Sequence, residues 1–236
     1  MDALVDISQR VFSHLKPTPK KAHYTFCWRD LRKIAISLEM VEGNSLKNEE
    51  NVMSLFYHEC LRTYGDRLLM SHDNQWFLGN LEEVCRKHFN VVTNEQIQAH
   101  NKSITEKSLQ NEQQEYDHAK RLSNYLQEIG KFQWPIKDPK NVFYSHWNNE
   151  VEGFYMQVDK IEDIDSVIER NLSRFNDSNE RVRLDLMLYN QLSRQMLKML
   201  RVITAPNGHL VHIALKGFGL SSAVKLVAFT AGHTLR

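Results

Sequence analysis

The chain has 236 residues, of which 42% are hydrophobic and 25% are charged, and these proportions are typical of a soluble globular protein with one sizeable core or two small ones. The formal net charge of +1 argues against a nucleic-acid-binding or membrane-binding patch that covers the whole surface. Cys27, Cys60 and Cys85 lack both C-x-x-C and metal-ligand spacing, so we expect reduced thiols of an intracellular protein. The pattern of charged and apolar residues also predicts neither a secretion signal nor a membrane anchor.

The first ninety residues predict a bundle of helices, because apolar residues recur there at intervals of three and four. Pro17 and Pro19 end the first helix, and either Ser71 or Asp73 is suited to cap the fourth. The four predicted helices are Ala3–Leu15, Trp28–Met40, Asn48–Met70 and a helix from about Ser71 to Phe89.

The middle of the chain, from Thr93 to about Gln114, is rich in polar residues and predicts a loop or a weakly packed segment at a domain boundary. Apolar content resumes after it, and a Pro-Asn-Gly turn separates the last helices. The predicted elements are a short strand in "EGFYMQV" (152–158), helices over Ile161–Phe175 and Val182–Ile203, a buried strand over His209–Leu215, and a helix after Gly219.

The last strand, glycine turn and helix occur in the order of a phosphate-binding loop, which reads G-x-x-x-x-G-K-[ST]. Ala214 replaces the first glycine and Leu220 replaces the lysine, so nucleotide hydrolysis is disfavoured. Nucleotide binding through backbone amides and a purely structural turn both stay open. The candidate nucleotide-binding residues are Ala214, Lys216, Gly217, Gly219, Leu220, Ser221 and Ser222.

Two further groups of residues have a functional and a structural interpretation. His58, Arg62 and Asp66 lie at i, i+4 and i+8 on one predicted helix, where ion pairing is favoured over metal binding or acid–base chemistry. Core packing is favoured over a ligand surface for the aromatic residues of the proline-bearing segment, which are Trp134, Phe143, Tyr144 and Trp147. The sequence predicts no metal site and no catalytic residue.

Arg29 opens the second predicted helix together with Asp30, Arg32 and Lys33. The simpler interpretation is a solvent-exposed charged turn, in which only Asp30 suits the helix dipole. The alternative is that Arg29 contacts the phosphates of a nucleotide bound in a neighbouring module.

Three stretches of the first half resemble dynein heavy chains of the axonemal type. "LKPTPKKAHYTFCWRDLRKI" (15–34) is similar to the segment P-T-P-x-K-x-H-Y-x-F-x-x-R-D-L in the lid of the family's third AAA+ module. "FYHECLRTYGDRLL" (56–69) resembles the H-E-x-x-R-v-x-x-D-R-L helix that follows, and "LLMSHDNQWF" (68–77) resembles the next element, D-x-x-W-F. The resemblance implies that Arg29 is the lid sensor of that module.

The second half resembles the start of the family's fourth module more weakly. "FYMQVDKIEDIDSVIERNLSRFN" (154–176) is similar to the entry segment and ends in its aromatic-Asn pair, Phe175 and Asn176. The family's D-A-I-E-H is replaced by residues 191–195, QLSRQ, and the glycine turn becomes a degenerate Walker A loop. Positions that keep the family pattern are Arg201, Pro206, Gly208, Gly217, Gly219 and Ser222.

The resemblance implies a mainly α fold with a small incomplete α/β part, in which an AAA+ helical lid is followed by the N-terminal portion of an AAA+ αβα core. The expected domains are the lid and following helices at 1–92, a polar linker or insert at 93–140, and the N-terminal part of the next module at 141–236. Because dynein heavy chains are far longer, we expect a fragment that is not an enzyme by itself, with an aggregating or molten C-terminal third.

The resemblance also implies a cellular setting. The parent motor drives microtubule-based movement in cilia or flagella, so the expected location is the cytoplasm, the cytoskeleton and the ciliary axoneme. The implied partners are the rest of the motor ring and the dynein light and intermediate chains, without nucleic acid or membrane. ATP or ADP is implied for the intact parent and no cofactor for this chain. The alternatives are a small nucleotide-binding protein and a helical interaction protein that binds dynein components.

Overall fold

The computed structural model describes residues 1–41, 43, 46, 48–92, 122, 126, 131–132, 134–136, 142–147, 155–158, 161–178, 183–206, 208–213, 217 and 219–233. The described part is mainly helical with a small two-stranded sheet, which confirms the predicted fold class. Contacts divide the chain into two units, Met1–Ala35 with Lys47–Lys137, and Ile36–Leu46 with Asp138–Arg236. The polar stretch from 93 to 121 lies outside the described residues, so the expected domain limits stay predictions.

The predicted helices of the first ninety residues are confirmed. They are α1 (Asp2–His14), α2 (Trp28–Glu39, whose last four residues group with the second unit), α3 (Glu49–Thr63) and α4 (Ser71–His88), with a short 3-10 turn at Gly65–Arg67. Helix α3 ends earlier than the predicted Met70. At Gly65 the chain passes so close to Leu61 that a Cβ would lie 2.8 Å from its Cδ1, and glycine permits this approach.

The core of the first unit forms where α1, α3 and α4 pack together. Their buried apolar side chains repeat at helical intervals, which is the pattern that the sequence predicts. These side chains are Leu4, Ile7, Val11, Met53, Phe56, Cys60, Phe77, Leu81, Val84 and Cys85. Polar side chains also join α1 and α4. Arg10 donates a hydrogen bond to Asn80 and forms an ion pair with Glu83, and Asp6 accepts hydrogen bonds from Lys87 and His88.

The described residues of the second unit form two strands and three further helices. Strands β1 (Phe143–Ser145) and β2 (Met156–Val158) pair antiparallel, with Phe143 opposite Val158. Helices α5 (Ile161–Ser178), α6 (Asn190–Thr204) and α7 (Leu220–Thr230) pack against one another. Their shared core includes Phe143, Trp147, Val158, Ile164, Ile168, Leu184, Met196, Leu200, Ala223, Leu226 and Val227.

Two predictions for the second unit are wrong, the first of them only in part, because residues 190–203 of the predicted helix belong to α6. Residues 183–189 are not helical. The backbone N–H of Leu184 donates to Asn176 Oδ1 at 2.8 Å, and Asn176 Nδ2 donates to the Leu184 carbonyl at 3.0 Å, and these hydrogen bonds compete with those of a helix. Residues 208–213 form no strand, and Val211 and Ile213 are 88% and 90% exposed. Within the described part of the chain only β1 and β2 form a sheet, so this segment has no strand beside it to share backbone hydrogen bonds.

None of the described helices has the length and apolar character that a membrane span requires.

Candidate functional site

The segment that leads into α2 is held by Arg67 from the 3-10 turn. The Arg67 guanidinium donates to Asp30 Oδ2 at 3.1 Å and to the carbonyl of His23 at 3.0 Å, and it lies 4.3 Å from the centre of the Phe26 ring. In return, His23 Nε2 contacts the Arg67 carbonyl oxygen at 3.0 Å. Arg67 therefore joins two of the stretches that carry the family resemblance.

Asp30 is buried, with 4% of its surface exposed, so the prediction of an exposed charged turn is wrong for this residue. Besides its bond to Arg67, its Oδ2 accepts a hydrogen bond from the backbone N–H of Cys27 at 3.1 Å. A carboxylate in the first turn that binds back to the preceding N–H is a capping arrangement, and it fixes where α2 begins.

Asp73 at the start of α4 makes the second connection to the same segment. Its carboxylate accepts hydrogen bonds from Lys21 Nζ at 2.5 Å and from the Tyr24 hydroxyl at 2.8 Å, and its side chain is 5% exposed. Burial raises the pKa of Asp73, but the bonds from Lys21 and Tyr24 lower it by more, so the net shift is downward. The third stretch of the resemblance is thus tied to the first.

Arg29 is on the exposed side of the helix start that these contacts position. Among the described residues its side chain has no ion pair or hydrogen bond, and Trp28 beside it is 60% exposed. An arginine without an internal partner is available to a phosphate or a carboxylate from outside the unit. The sensor role itself needs a nucleotide that lies beyond these residues.

The predicted ion-pair face on α3 is correct in part. Arg62 and Asp66 approach to 3.2 Å as an i, i+4 pair. His58 is 1% exposed, so it belongs to the core rather than to a solvated face. Groups of three or more His, Cys, Asp or Glu side chains that suit a metal ion are absent from the described residues.

Three of the four aromatic residues of the proline-bearing segment pack as the sequence predicts. Trp134 meets the Tyr57 ring edge-on at 5.8 Å and lies under the Arg86 guanidinium at 5.1 Å. In the second unit Phe143, Tyr144 and Trp147 are buried. The ring contacts of Trp134 and the burial of Phe143 and Tyr144 favour core packing over a ligand surface. Trp147 is buried too, but it also lines a cleft of the second unit.

The glycine turn of the degenerate loop is only partly described. Gly217 and Gly219 have φ angles of 97° and 71°, the left-handed region in which glycine is favoured. Gly219 is the N-cap of α7, Leu220 packs against the core of the second unit, and Ser221 is exposed. Ala214 and Lys216 lie outside the described residues, and Ser222 is half-buried. The start of α7 is formed, and Leu220, which stands at the lysine position of the predicted Walker A pattern, contacts the core of the second unit.

The aromatic-Asn pair of the resemblance, Phe175 and Asn176, contacts residues that lie near the glycine turn or on α7. Asn176 holds Leu184, and two residues later Leu186 lies beside the turn, since a Cβ on Gly219 would be 3.4 Å from its Cδ1. Phe175 packs edge-on against Phe229 at 5.1 Å. In the stretch that replaces D-A-I-E-H, Ser193 donates to Asp165 on α5.

The second unit also has a cleft of about 520 Å³ at the other end of α7. Its walls include His146, Trp147, Asn171, Thr204 and Phe229, and none of the candidate nucleotide-binding residues. Burial lowers the pKa of His146, whose Nδ1 lies 3.3 Å from the Thr204 hydroxyl. The cleft and the glycine turn are therefore separate features.

Sequence reasoning missed the contacts that join the three stretches. An aspartate in a first turn is usually solvated, and no local spacing connects Asp30 with Arg67 or Asp73 with Lys21. The available signal was the clustering of these residues in the stretches that carry the resemblance.

Comparison with known proteins identifies the first of these regions. Residues 1–99 match the AAA+ lid domain family. The stretches joined by Arg67 and Asp73 all lie within that match, so the contacts described above belong to the region that is similar to AAA+ lid domains.

Similarity to curated proteins extends over nearly the whole chain. The chain is 23% identical over 235 residues to dynein axonemal heavy chain 12 of Rattus norvegicus, and 23% identical over 233 residues to dynein axonemal heavy chain 6 of Homo sapiens. These alignments cover 98% and 99% of this chain but only 7% and 5% of the relatives. Over 94 residues, 40% of this chain and 2% of the relative, identity to dynein axonemal heavy chain 1 of Mus musculus is 36%.

Proposed function

We propose that this chain, a diverged relative of axonemal dynein heavy chains that contains an AAA+ lid domain, acts as a non-motor connecting segment of a dynein-type ring. The observation that carries the proposal is a pair of contacts made by buried aspartates, Asp30 with Arg67 and Asp73 with Lys21, which we call the clamps at Arg67 and Asp73 and which hold the segment that leads into α2. A segment that transmits a nucleotide-dependent movement needs such rigidity, because a flexible joint would absorb the displacement.

Arg29 has the role of lid sensor in this proposal. Its first helical turn is fixed by Asp30 while its own side chain remains available, which suits contact with a nucleotide held by another part of a ring. ATP or ADP would then be bound by the intact parent. The lid would be the third module's, and the glycine turn would belong to the fourth.

The glycine turn has a structural role in the same proposal. Leu220 supplies no charge to phosphates, and it contributes to the core of the second unit. We expect the turn to fill the place of a nucleotide site without turnover. By itself the chain would be no enzyme.

The names of the relatives support a cellular setting. They are axonemal heavy chains, and we propose that this chain also belongs to the axoneme of a cilium or flagellum, within the cytoskeleton. Its partners would be the rest of the motor ring, with dynein light and intermediate chains bound to the complex. Retention of the tagged chain in axonemes of ciliated cells tests this setting, and a wholly soluble chain contradicts it.

Titration with a fluorescent ATP analogue and Mg²⁺ tests the role of the turn. We expect no saturable binding at micromolar analogue and no phosphate release. Tight Mg²⁺-dependent binding that Ser221→Ala abolishes would instead support a small nucleotide-binding protein. Sequencing the transcript on both sides of the present reading frame tests the parentage, since an acidic Walker B strand and stalk heptads are expected in a dynein reading frame.

A further inference from the structure

The exposed side of the first turns of α2 combines positive charge with a large aromatic surface. Four residues, Trp28, Arg29, Arg32 and Lys33, form this α2 basic face. Trp28 and Arg32 are i, i+4 neighbours, as are Arg29 and Lys33, so the four side chains lie in two adjacent columns. The opposite side of the helix carries the buried Asp30 and Ile34.

The charge of this face is not neutralised within the first unit. Among the described residues Arg29 and Arg32 have no ion pair or hydrogen bond, and Lys33 lies 3.8 Å from Asp30 while 69% of its side chain is exposed. The carboxylate of Asp30 is shared with Arg67, which binds it at 3.1 Å. A surface with three cations attracts negative charge.

Trp28 adds apolar area that an isolated anion does not use. Its side chain is 60% exposed, and its ring is held edge-on by Phe12 at a centroid distance of 5.2 Å. Since the ring is already positioned, a partner can bury it at little conformational cost. Trp and Arg are the side chains that most often dominate binding energy at protein interfaces.

We infer that the α2 basic face is a docking surface for an acidic polypeptide segment that also carries apolar side chains. A nucleic acid is disfavoured, because three cations neutralise few phosphates compared with the roughly six to ten contacts of a typical binder. The inference goes beyond the proposed function, since it needs only the contacts of the first unit and no nucleotide held by another part of a ring.

Fluorescence anisotropy with a short labelled peptide of Glu and Leu tests the inference, and the corresponding peptide of Gln and Leu is the control for charge. The full chain should bind the acidic peptide and bind the Gln–Leu peptide at least about tenfold more weakly. Trp28→Ala and Arg32→Glu should each weaken binding of the acidic peptide by about tenfold. Both positions are exposed, and far-UV circular dichroism verifies that the variants fold.

Lys20→Glu is the matched variant, because Lys20 is exposed, lies outside α2 and changes the net charge as much as Arg32→Glu does. It should alter the affinity by less than about twofold, since Lys20 is not part of the α2 basic face. Equal losses from Lys20→Glu and Arg32→Glu would mean unspecific attraction and overturn the inference. Displacement of the peptide by micromolar ATP would overturn it too, because the face would then be a nucleotide site, in agreement with the proposed sensor.

Discussion

Asp30 and Arg67 are 37 residues apart in the sequence, yet their side chains meet at 3.1 Å and join the start of α2 to the turn before α4. The Asp30 side chain is 6% exposed and Arg67 is 29% exposed, so the pair lies at the edge of the core. A carboxylate buried to this degree requires its partners, because an unpaired buried charge is costly. The pair therefore contributes to the position of α2 as well as to stability.

Asp30→Asn should lower the free energy of unfolding of the first unit by about 1–3 kcal/mol, since the amide weakens the bonds to Arg67 and to the Cys27 N–H. Urea unfolding followed by circular dichroism measures the change. Glu82→Gln is the matched acid-to-amide control, because Glu82 pairs with Arg86 on the surface of α4 and should cost less than about 0.5 kcal/mol. Equal costs for the two variants would contradict the importance of the buried pair.

Asp6 links stability to pH. Hydrogen bonds from Lys87, then His88 and Arg10, hold the pKa of Asp6 far below its ordinary value of 3.8. A carboxyl with a depressed folded-state pKa stabilises the fold above its unfolded pKa, and this stability is lost as the pH falls toward the folded value. The melting temperature should therefore decrease as the pH is lowered below about 4.

Asp6→Asn should lower the melting temperature at pH 7 and make the decline in acid less steep. Thermal denaturation from pH 7 to pH 3 measures both effects. Asp2→Asn removes an exposed carboxylate from the same helix and serves as the control. If Asp6→Asn leaves the acid profile unchanged, the linkage to Asp6 is wrong.

The three thiols should differ in reactivity. Cys60 and Cys85 are fully buried, and burial raises the pKa of both, whereas Cys27 is half-buried. A disulfide reagent at pH 8 should therefore modify Cys27 quickly and the other two only after urea is added. Cys27→Ser should remove the fast phase, and a remaining fast phase would show that a buried thiol opens to solvent.

Gly219 should be sensitive to substitution, because its φ of 71° at the N-cap of α7 strains any residue with a Cβ. Gly219→Ala should cost about 1 kcal/mol, in contrast to Gly79→Ala within α4, which meets nothing within 4 Å and should be neutral or stabilising. Chemical denaturation followed by circular dichroism compares the two variants. A neutral Gly219→Ala would mean that the turn tolerates another conformation.

The helices could be predicted because their apolar residues face one core at regular intervals, as Ile7 and Val11 do in α1. Strand β1 could not, since its three residues are all buried and show no alternation. The clamps at Arg67 and Asp73 depend on long-range packing, which no local pattern encodes. The buried strand predicted at His209–Leu215 depends on neighbouring strands that are absent from the described residues.

That same segment should control the solubility of the chain. Val211 and Ile213 are 88% and 90% exposed, and an exposed apolar segment of high β-propensity can pair with another copy. Val211→Lys with Ile213→Lys should therefore reduce light scattering on heating, while the melting temperature stays the same because neither side chain contributes to the core. His209→Lys with His212→Lys adds charge to the same segment without removing apolar surface, and it separates the two causes of improved solubility. If both pairs reduce scattering equally, net charge rather than the exposed apolar side chains governs aggregation.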